Sequence, residues 1–459
     1  MKGLLVMPPA LAFMVKASIV LAVLLGVYIK FVVKDPEPPV LEDVYWGPGE
    51  PPAKPDLSVR PFVVSFPEKG LEELRRRLEL DSRLVQALEG QGFRYGFNAA
   101  FLEEVQQYWL DEYDWRKEEA RLNALPHFKT YIQGLNVHFV HVKPGAGKGK
   151  GKTCPVLLLH GWPGSFFEFY KAGSRDVKEP CSLELVIPSL PGYGFSDTAA
   201  KSGLGAIETA RIMMTLMHER LGFSTFYVQG GDWGSLIATA MGAIYPDKVK
   251  GIHLNMLVVN TPGVTLKWLL GHFVHPSLVC DIPDRWKLYP MKEKLSYMLQ
   301  ETGYLHIQAT KPDTVGVGLS QSPLGLAAYI LEKFSTWTNK SSMGEWDGGL
   351  KSTFALDDLL TNVMVYWISN SITTSMRIYS ESFSPAAQGF DSVPVRVPTG
   401  MAAFPDEIFV HPKSFMEHRY YDIVTYDDMP RGGHFAAFQE PQILAQHFLK
   451  FLSLVEKRE

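Results

Sequence analysis

Cysteine is nearly absent from this chain: Cys154, Cys181 and Cys280 are the only three in 459 residues. They lie far apart without a Cys-x-x-Cys spacing, so neither a disulfide framework nor a zinc site is expected, and a reducing compartment fits best. An excess of one charge is missing too. With 45 basic and 49 acidic side chains the formal net charge is −4, and no long single-sign run appears, which argues against a nucleic-acid partner. What is present suffices for a large core: 46% of positions are hydrophobic and 20% charged, the balance of a globular chain of one big domain or two modest ones.

The N-terminus departs from this pattern. "ASIVLAVLLGVYIKFVV", Ala17 to Val33, is apolar apart from Lys30, whose ammonium can snorkel to lipid headgroups. Its 17 residues are the minimum for a membrane span. No small-residue cleavage site follows, only the polar, proline-rich "KDPEPPV", so the reading is a retained anchor helix and not a cleaved signal peptide. Lys2 and Lys16 before it and Lys30 and Lys34 at its end leave its orientation open.

Five segments follow from the patterning: the anchor at 1–34, a region at 35–153 that packs on something larger, a first core part at 154–260, a helical lid at 261–390 and a second core part at 391–459. In the second segment "DVYWGPGEPPAKP" is a turn-rich linker, and "EKGLEELRRRLELDSRLVQALEG" has apolar residues at helical spacing. "GAGKGKGKT" lacks the first glycine of a phosphate loop and precedes a strand, so it reads as a solvated basic hairpin loop. Beyond it "CPVLLLH", "LELVIPSL", "FYVQGG" and "KGIHLNM" are short apolar runs of parallel-strand type, separated by helix-length stretches. "VPVRVPTGMA" and "YDIVTYDDM" read as two more strands. The stretch between Met256 and Val395 is amphipathic, aromatic and poor in strand signals, as an inserted lid would be.

Within "YVQGGDWGSL", Gly230-Gly231-Asp232-Trp233-Gly234 has the spacing of the nucleophile elbow of α/β-hydrolases, directly after a strand, with aspartate in the usual place of serine. Alone, Asp232 could be an ordinary helix N-cap. Three other features weigh against that. "LLLHGWPGS" puts the Trp162 N–H where such enzymes build an oxyanion hole, with the Trp233 N–H as second donor. "RGGHFAAF" places His434 in a glycine-rich loop between the last strand and a terminal helix. "TGMAAFPDEIF" presents Asp406 and Glu407 just beyond a strand, where an acid orients an imidazole. The chain order nucleophile, acid, histidine is that of the hydrolases.

An aspartate nucleophile selects its substrate. A carboxylate, with its ordinary pKa of about 4, needs no base to attack at neutral pH. Attack at an sp3 carbon gives an alkyl ester that water can cleave at the acyl carbon, whereas serine would give a stable ether. Epoxides and alkyl halides are such electrophiles, and His434 would activate the water of the second step.

These residues closely resemble the microsomal epoxide hydrolases of vertebrates. The likeness runs from the apolar N-terminus through "GFNAAFLEEVQQYW", "HFKT", "HGWPGSFFEFY", "PSLPGYGFS", "GGDWGS" and "RGGHFAAF", with "TGYLHIQATKPDTVG" and "AAYILEKFSTWTN" in the lid. The resemblance implies an α/β-hydrolase fold with an inserted helical lid, an N-terminal meander wrapping the core and a single N-terminal membrane anchor. It implies Asp232 as nucleophile, His434 as base, and Glu407, through "FPDE", as the acid, with Asp406 the lesser candidate. It also implies Tyr304 and Tyr379 as donors to the epoxide oxygen. The residue pattern alone does not choose them over Tyr289, Tyr297, Tyr329 and Tyr366. No metal or organic cofactor is implied. The implied partners are small apolar epoxides and water, arene and alkene oxides with some lipid epoxides, in a detoxifying role. The implied location is the endoplasmic-reticulum membrane with the core facing the cytosol; the oligomeric state stays open. Three other readings remain: a haloalkane dehalogenase, which needs halide donors in its lid; a catalytically silent ligand-binding protein of the same fold; and, within the same chemistry, a juvenile-hormone-type epoxide hydrolase.

Overall fold

The computed structural model describes residues 35–81, 83–144, 152–171, 181–384 and 389–458. The expected anchor, Ala17 to Val33, and residues 145–151 of the basic loop lie outside the described residues.

One nine-stranded mixed sheet organises the chain. Its strands are β1 (Arg60–Phe62), β2 (His127–Ile132), β3 (Leu135–Val142), β4 (Thr153–Leu159), β5 (Ser182–Pro188), β6 (Phe226–Gly230), β7 (Val249–Leu254), β8 (Thr399–Ala403) and β9 (Ile423–Asp428). Their order across the sheet is β1-β2-β3-β5-β4-β6-β7-β8-β9. The pairs β1/β2, β2/β3 and β3/β5 are antiparallel and the rest parallel. β6 and β8 are buried at every position, because helices cover both faces of a parallel sheet and leave no solvent side for polar residues. Between β7 and β8 the described residues form helices and loops without a named strand.

Three expectations change. The apolar spacing predicts a helix across 68–90, but it ends as Glu68–Leu80. There the Gln106 amide donates to the carbonyls of Leu78 and Asp81, and the Ser322 hydroxyl donates to the Asp81 carboxylate at 2.7 Å. Tertiary partners thus take up the groups that another turn would have used. The strand expected over "VPVRVPTGMA" starts only at Thr399, since Pro394 and Pro398 have no N–H for a ladder.

The third change concerns the cysteines. Cys154 and Cys181 form a disulfide with Cα atoms 5.9 Å apart. Register explains it: Thr153 pairs with Ser182 and Cys154 with Leu183 on neighbouring parallel strands, so residues 27 apart in sequence meet at one end of β4 and β5. The bridge withdraws the cysteine argument for a reducing compartment.

Among the described residues no single helix is long and apolar enough to cross a membrane; the helices Pro312–Leu319 and Pro323–Thr336, bent by 120°, meet the length and composition only as a pair.

The loops that leave the carboxyl ends of β4, β6, β8 and β9 converge, as the crevice of an open α/β sheet requires. The helical insertion is hydrogen-bonded over them. Asn362 donates to the Pro163 carbonyl at 2.9 Å, Tyr366 to the Gly164 carbonyl at 2.6 Å, and the His434 N–H to the Trp337 carbonyl at 2.8 Å.

Candidate active site

Asp232 opens the helix Asp232–Ile244 directly after β6 and has φ +48°, a left-handed conformation that few non-glycine residues hold. Glycines make this turn possible. A Cβ on Gly230 would stand 2.2 Å from the Gly234 carbonyl oxygen, and one on Gly234 2.2 Å from that of Leu159. Strand, elbow and helix therefore touch backbone to backbone. The carboxylate is raised into the crevice with its side chain 17% exposed.

The His434 imidazole lies between two carboxylates. Its Nδ1 is 2.8 Å from Glu407 Oε1 and its Nε2 is 3.4 Å from Asp232 Oδ2. Glu407 Oε1 also accepts the N–H groups of Ile408 at 2.7 Å and Phe409 at 3.3 Å, which fixes the acid before it meets the ring. Asp406 turns away: its carboxylate accepts the Lys340 N–H at 3.3 Å, and its backbone bridges to Gly433. Burial works against a charged His434, but Glu407 and Asp232 outweigh it and push its pKa up to about 10. The two carboxylates thus favour the protonated ring.

The Trp162 N–H donates to Asp232 Oδ1 at 2.7 Å. Gly161 allows the approach, because a Cβ there would stand 2.1 Å from the same oxygen. Trp233 sits in the first turn of its helix, where an N–H has no acceptor within the helix.

Above the carboxylate, the Tyr304 ring stacks on Trp162 at 5.1 Å between centroids, and Tyr379 meets Trp233 edge-on at 4.6 Å. The two phenols lie 5.9 Å apart, ring to ring. Their competitors have other duties. Tyr289 donates to the Trp268 carbonyl, Tyr297 to that of Thr336 and Tyr366 to that of Gly164, while Tyr329 accepts from Gln308. The Tyr379 hydroxyl, by contrast, is buried without a partner among the described residues. Burial first, and then nearby Asp232 for Tyr304 or Tyr304 and Asp232 for Tyr379, holds both phenols well above the usual tyrosine range. Burial thus favours the protonated form of both phenols.

A cavity of about 700 Å³ reaches Asp232, Trp233, Tyr304, Tyr379 and Glu407, and most of its remaining wall is apolar, including Leu236, Met256, Trp268 and Phe383. One polar neighbour escaped the sequence reading: Glu168, a lone acid in the aromatic run "FFEFY", which shares a smaller cavity with Asp232 and His434. An acid inside an apolar run was the available signal. Among the described residues no group of three or more His, Cys, Asp or Glu could hold a metal ion.

The chain is similar to known proteins over most of its length. Residues 59–169 match the family model "Epoxide hydrolase N terminus" and residues 155–387 the model "alpha/beta hydrolase fold". The chain is 47% identical to Epoxide hydrolase 1 of Oryctolagus cuniculus, over 91% of this chain and 94% of that one. It is 48% identical to Juvenile hormone epoxide hydrolase 1 of Ctenocephalides felis, over 90% and 89%. The crystal structure of juvenile hormone epoxide hydrolase from the silkworm Bombyx mori superposes with a TM-score of 0.87 at 44% identity, covering 91% of this chain and all of the other.

Proposed function

The chain belongs to the epoxide hydrolases of the α/β-hydrolase fold, and from that membership we propose a two-step hydrolysis of apolar epoxides to vicinal diols through an ester on Asp232. The observation that carries it is the arrangement around one carboxylate: a histidine on one side, two phenols above, one with a free hydroxyl, and a backbone N–H on Oδ1.

In the first step Asp232 Oδ2 attacks an epoxide carbon. Oδ1, already held by the Trp162 N–H, becomes the ester carbonyl oxygen. The carbon–oxygen bond breaks, and the alkoxide is met by the hydroxyls of Tyr304 and Tyr379. Ester formation removes the charge of Asp232, one of two anions that hold the proton on His434, so the ring loses affinity for that proton. The proton the alkoxide gains and the one His434 sheds balance. His434, oriented by Glu407, then takes a proton from water as the water adds to the ester carbon. Trp162 and Trp233 N–H groups stabilise the oxyanion. Collapse releases the diol as His434 returns its proton to the departing oxygen, and the proton left on the Asp232 carboxyl then passes to His434, restoring the starting carboxylate and protonated ring.

Single-turnover reaction in heavy-oxygen water tests the pathway. The first diol should carry an unlabelled new oxygen donated by Asp232, with label appearing in Asp232 afterwards; label in the first diol would mean direct attack by water.

The tyrosine pair favours an epoxide over a haloalkane, because a leaving alkoxide needs a proton donor and chloride does not. Tyr379→Phe should slow ester formation by about 10²-fold, a loss of the size seen when one oxyanion donor is removed, while leaving the decay of preformed ester nearly unchanged. Stopped-flow tryptophan fluorescence reads both steps. Equal slowing of both would count against a donor role.

The apolar wall of the large cavity supports arene and alkene oxides and some lipid epoxides as substrates, and hence a detoxifying role. The apolar N-terminal run supports a single-pass anchor in the endoplasmic-reticulum membrane. A cytosol-facing core follows from the family resemblance, whereas the Cys154–Cys181 bridge favours the lumen. Protease treatment of sealed microsomes decides: digestion of the core means the cytosolic face, protection the luminal one.

A further inference from the structure

The second cavity, beside Asp232 and His434, offers about 20 Å³ to the centre of a water molecule, enough for one water given polar partners. Polar groups surround it: Glu168 and Gln229 join Asp232, Asn255 and His434 in its wall. Two of these are buried without a hydrogen-bond partner among the described residues, His434 Nε2 and Gln229 Oε1. The Gln229 amide is oriented by its Nε2, which donates to Asn255 at 2.8 Å, so the oxygen is left facing elsewhere.

The chain makes room for Glu168. A Cβ on Gly164 would stand 1.3 Å from Glu168 Oε1, so only glycine at 164 lets the carboxyl lie there. An acid between Phe167 and Phe169 has no packing advantage, and burying it is costly without a compensating interaction. Burial, with the charge of Asp232 adding to it and His434 opposing it, pushes its pKa up to about 8. It keeps its proton to a higher pH than an ordinary carboxyl.

We propose that this cavity seats the water that cleaves the Asp232 ester, and that Glu168 is its positioning residue, acting with Gln229. The inference rests on the ester pathway proposed above. While His434 is protonated its Nε2–H donates to the water oxygen, and the water donates its two hydrogens to the Glu168 carbonyl oxygen and to Gln229 Oε1. Those are three partners, the usual number for a buried water. Once the ester has formed and His434 is neutral, the water turns. One proton goes to Nε2, the other stays hydrogen-bonded to Glu168 or Gln229, and the freed lone pair attacks the ester carbon. As the ester bond breaks, the proton on His434 passes to the diol oxygen, and the proton left on the new Asp232 carboxyl passes to His434 Nε2, which restores the carboxylate and the protonated ring. Glu168 binds the water throughout and is neither consumed nor alkylated.

Two variants separate positioning from packing. Glu168→Leu removes the acceptor and should slow ester hydrolysis by about 10- to 100-fold, the lower range for a group that orients a proton transfer. Glu168→Gln keeps a carbonyl oxygen in nearly the same shape. It should hydrolyse the ester within about threefold of the parent rate, but the pH profile of that step should lose one ionisation present in the parent. Both are read by rapid quench with mass spectrometry of the ester, using styrene oxide. If the parent forms no ester, the proposed pathway itself fails. If the ester forms but Glu168→Leu hydrolyses it at the parent rate, or Glu168→Gln keeps the parent pH profile, the pathway survives and the role of Glu168 is refuted. Should Glu168→Leu not fold, the Glu168→Gln profile alone decides.

Discussion

Asp232→Ala is expected to lower turnover of styrene oxide by about 10⁵-fold, roughly 7 kcal/mol of lost transition-state stabilisation. The reason is specific to covalent catalysis. Without the carboxylate no ester forms, and the remaining groups must then help water attack an sp3 carbon directly, a task for which His434 is wrongly placed. With Asp232 gone the ring loses one of its two anions, but its Nε2 is left facing the gap where the nucleophile stood, not an epoxide carbon. Some activity should persist, because Tyr304 and Tyr379 still polarise the epoxide oxygen. The fold should tolerate the change at a cost of about 1 kcal/mol, since alanine adopts φ +48° less readily than aspartate. A ligand-induced rise in thermal midpoint would show that the cavity still binds. Turnover above about 1% of the parent rate in a variant that binds normally would sink the ester pathway.

His434→Gln should give the opposite kinetic picture. The ester forms, because Asp232 needs no base, and then persists, because nothing takes a proton from water. The expected result is one equivalent of bound product in the mixing time, followed by steady turnover about 10³-fold slower than the parent, within the usual range for removal of a general base. Intact-protein mass spectrometry would show the adduct, and peptide mapping would place it on Asp232. Ester formation itself should slow somewhat, because the imidazolium also sets the carboxylate in place at 3.4 Å. Rapid diol release by this variant would contradict the role given to His434.

Much of this site was legible in linear sequence, for a physical reason. A strained turn between a strand and a helix demands small residues at fixed offsets, so "GGDWG" exposes its central residue wherever it occurs in such a context. The glycine-rich loop around His434 and the strand end before Glu407 carry similar local demands. The elbow, the acid and the histidine therefore announce themselves in order. Helix ends were less legible: the helix that begins at Glu68 stops because Gln106 and Ser322 arrive from elsewhere in the chain, and no spacing of apolar residues can report that.

The sequence by itself determined the α/β-hydrolase class and brought forward a carboxylate, an acid and a histidine as candidates, because each of those parts is written in a few contiguous residues. Only the tertiary structure decided among chemical equals. It turned Asp406 to Lys340 and Glu407 to His434, occupied four tyrosine hydroxyls and left that of Tyr379 without a partner, joined two cysteines that look unrelated in sequence, and set Glu168 against the nucleophile. Those choices depend on which side chains meet across tens or hundreds of residues, and a hydrogen bond or a disulfide is decided by distance in space and not by spacing along the chain.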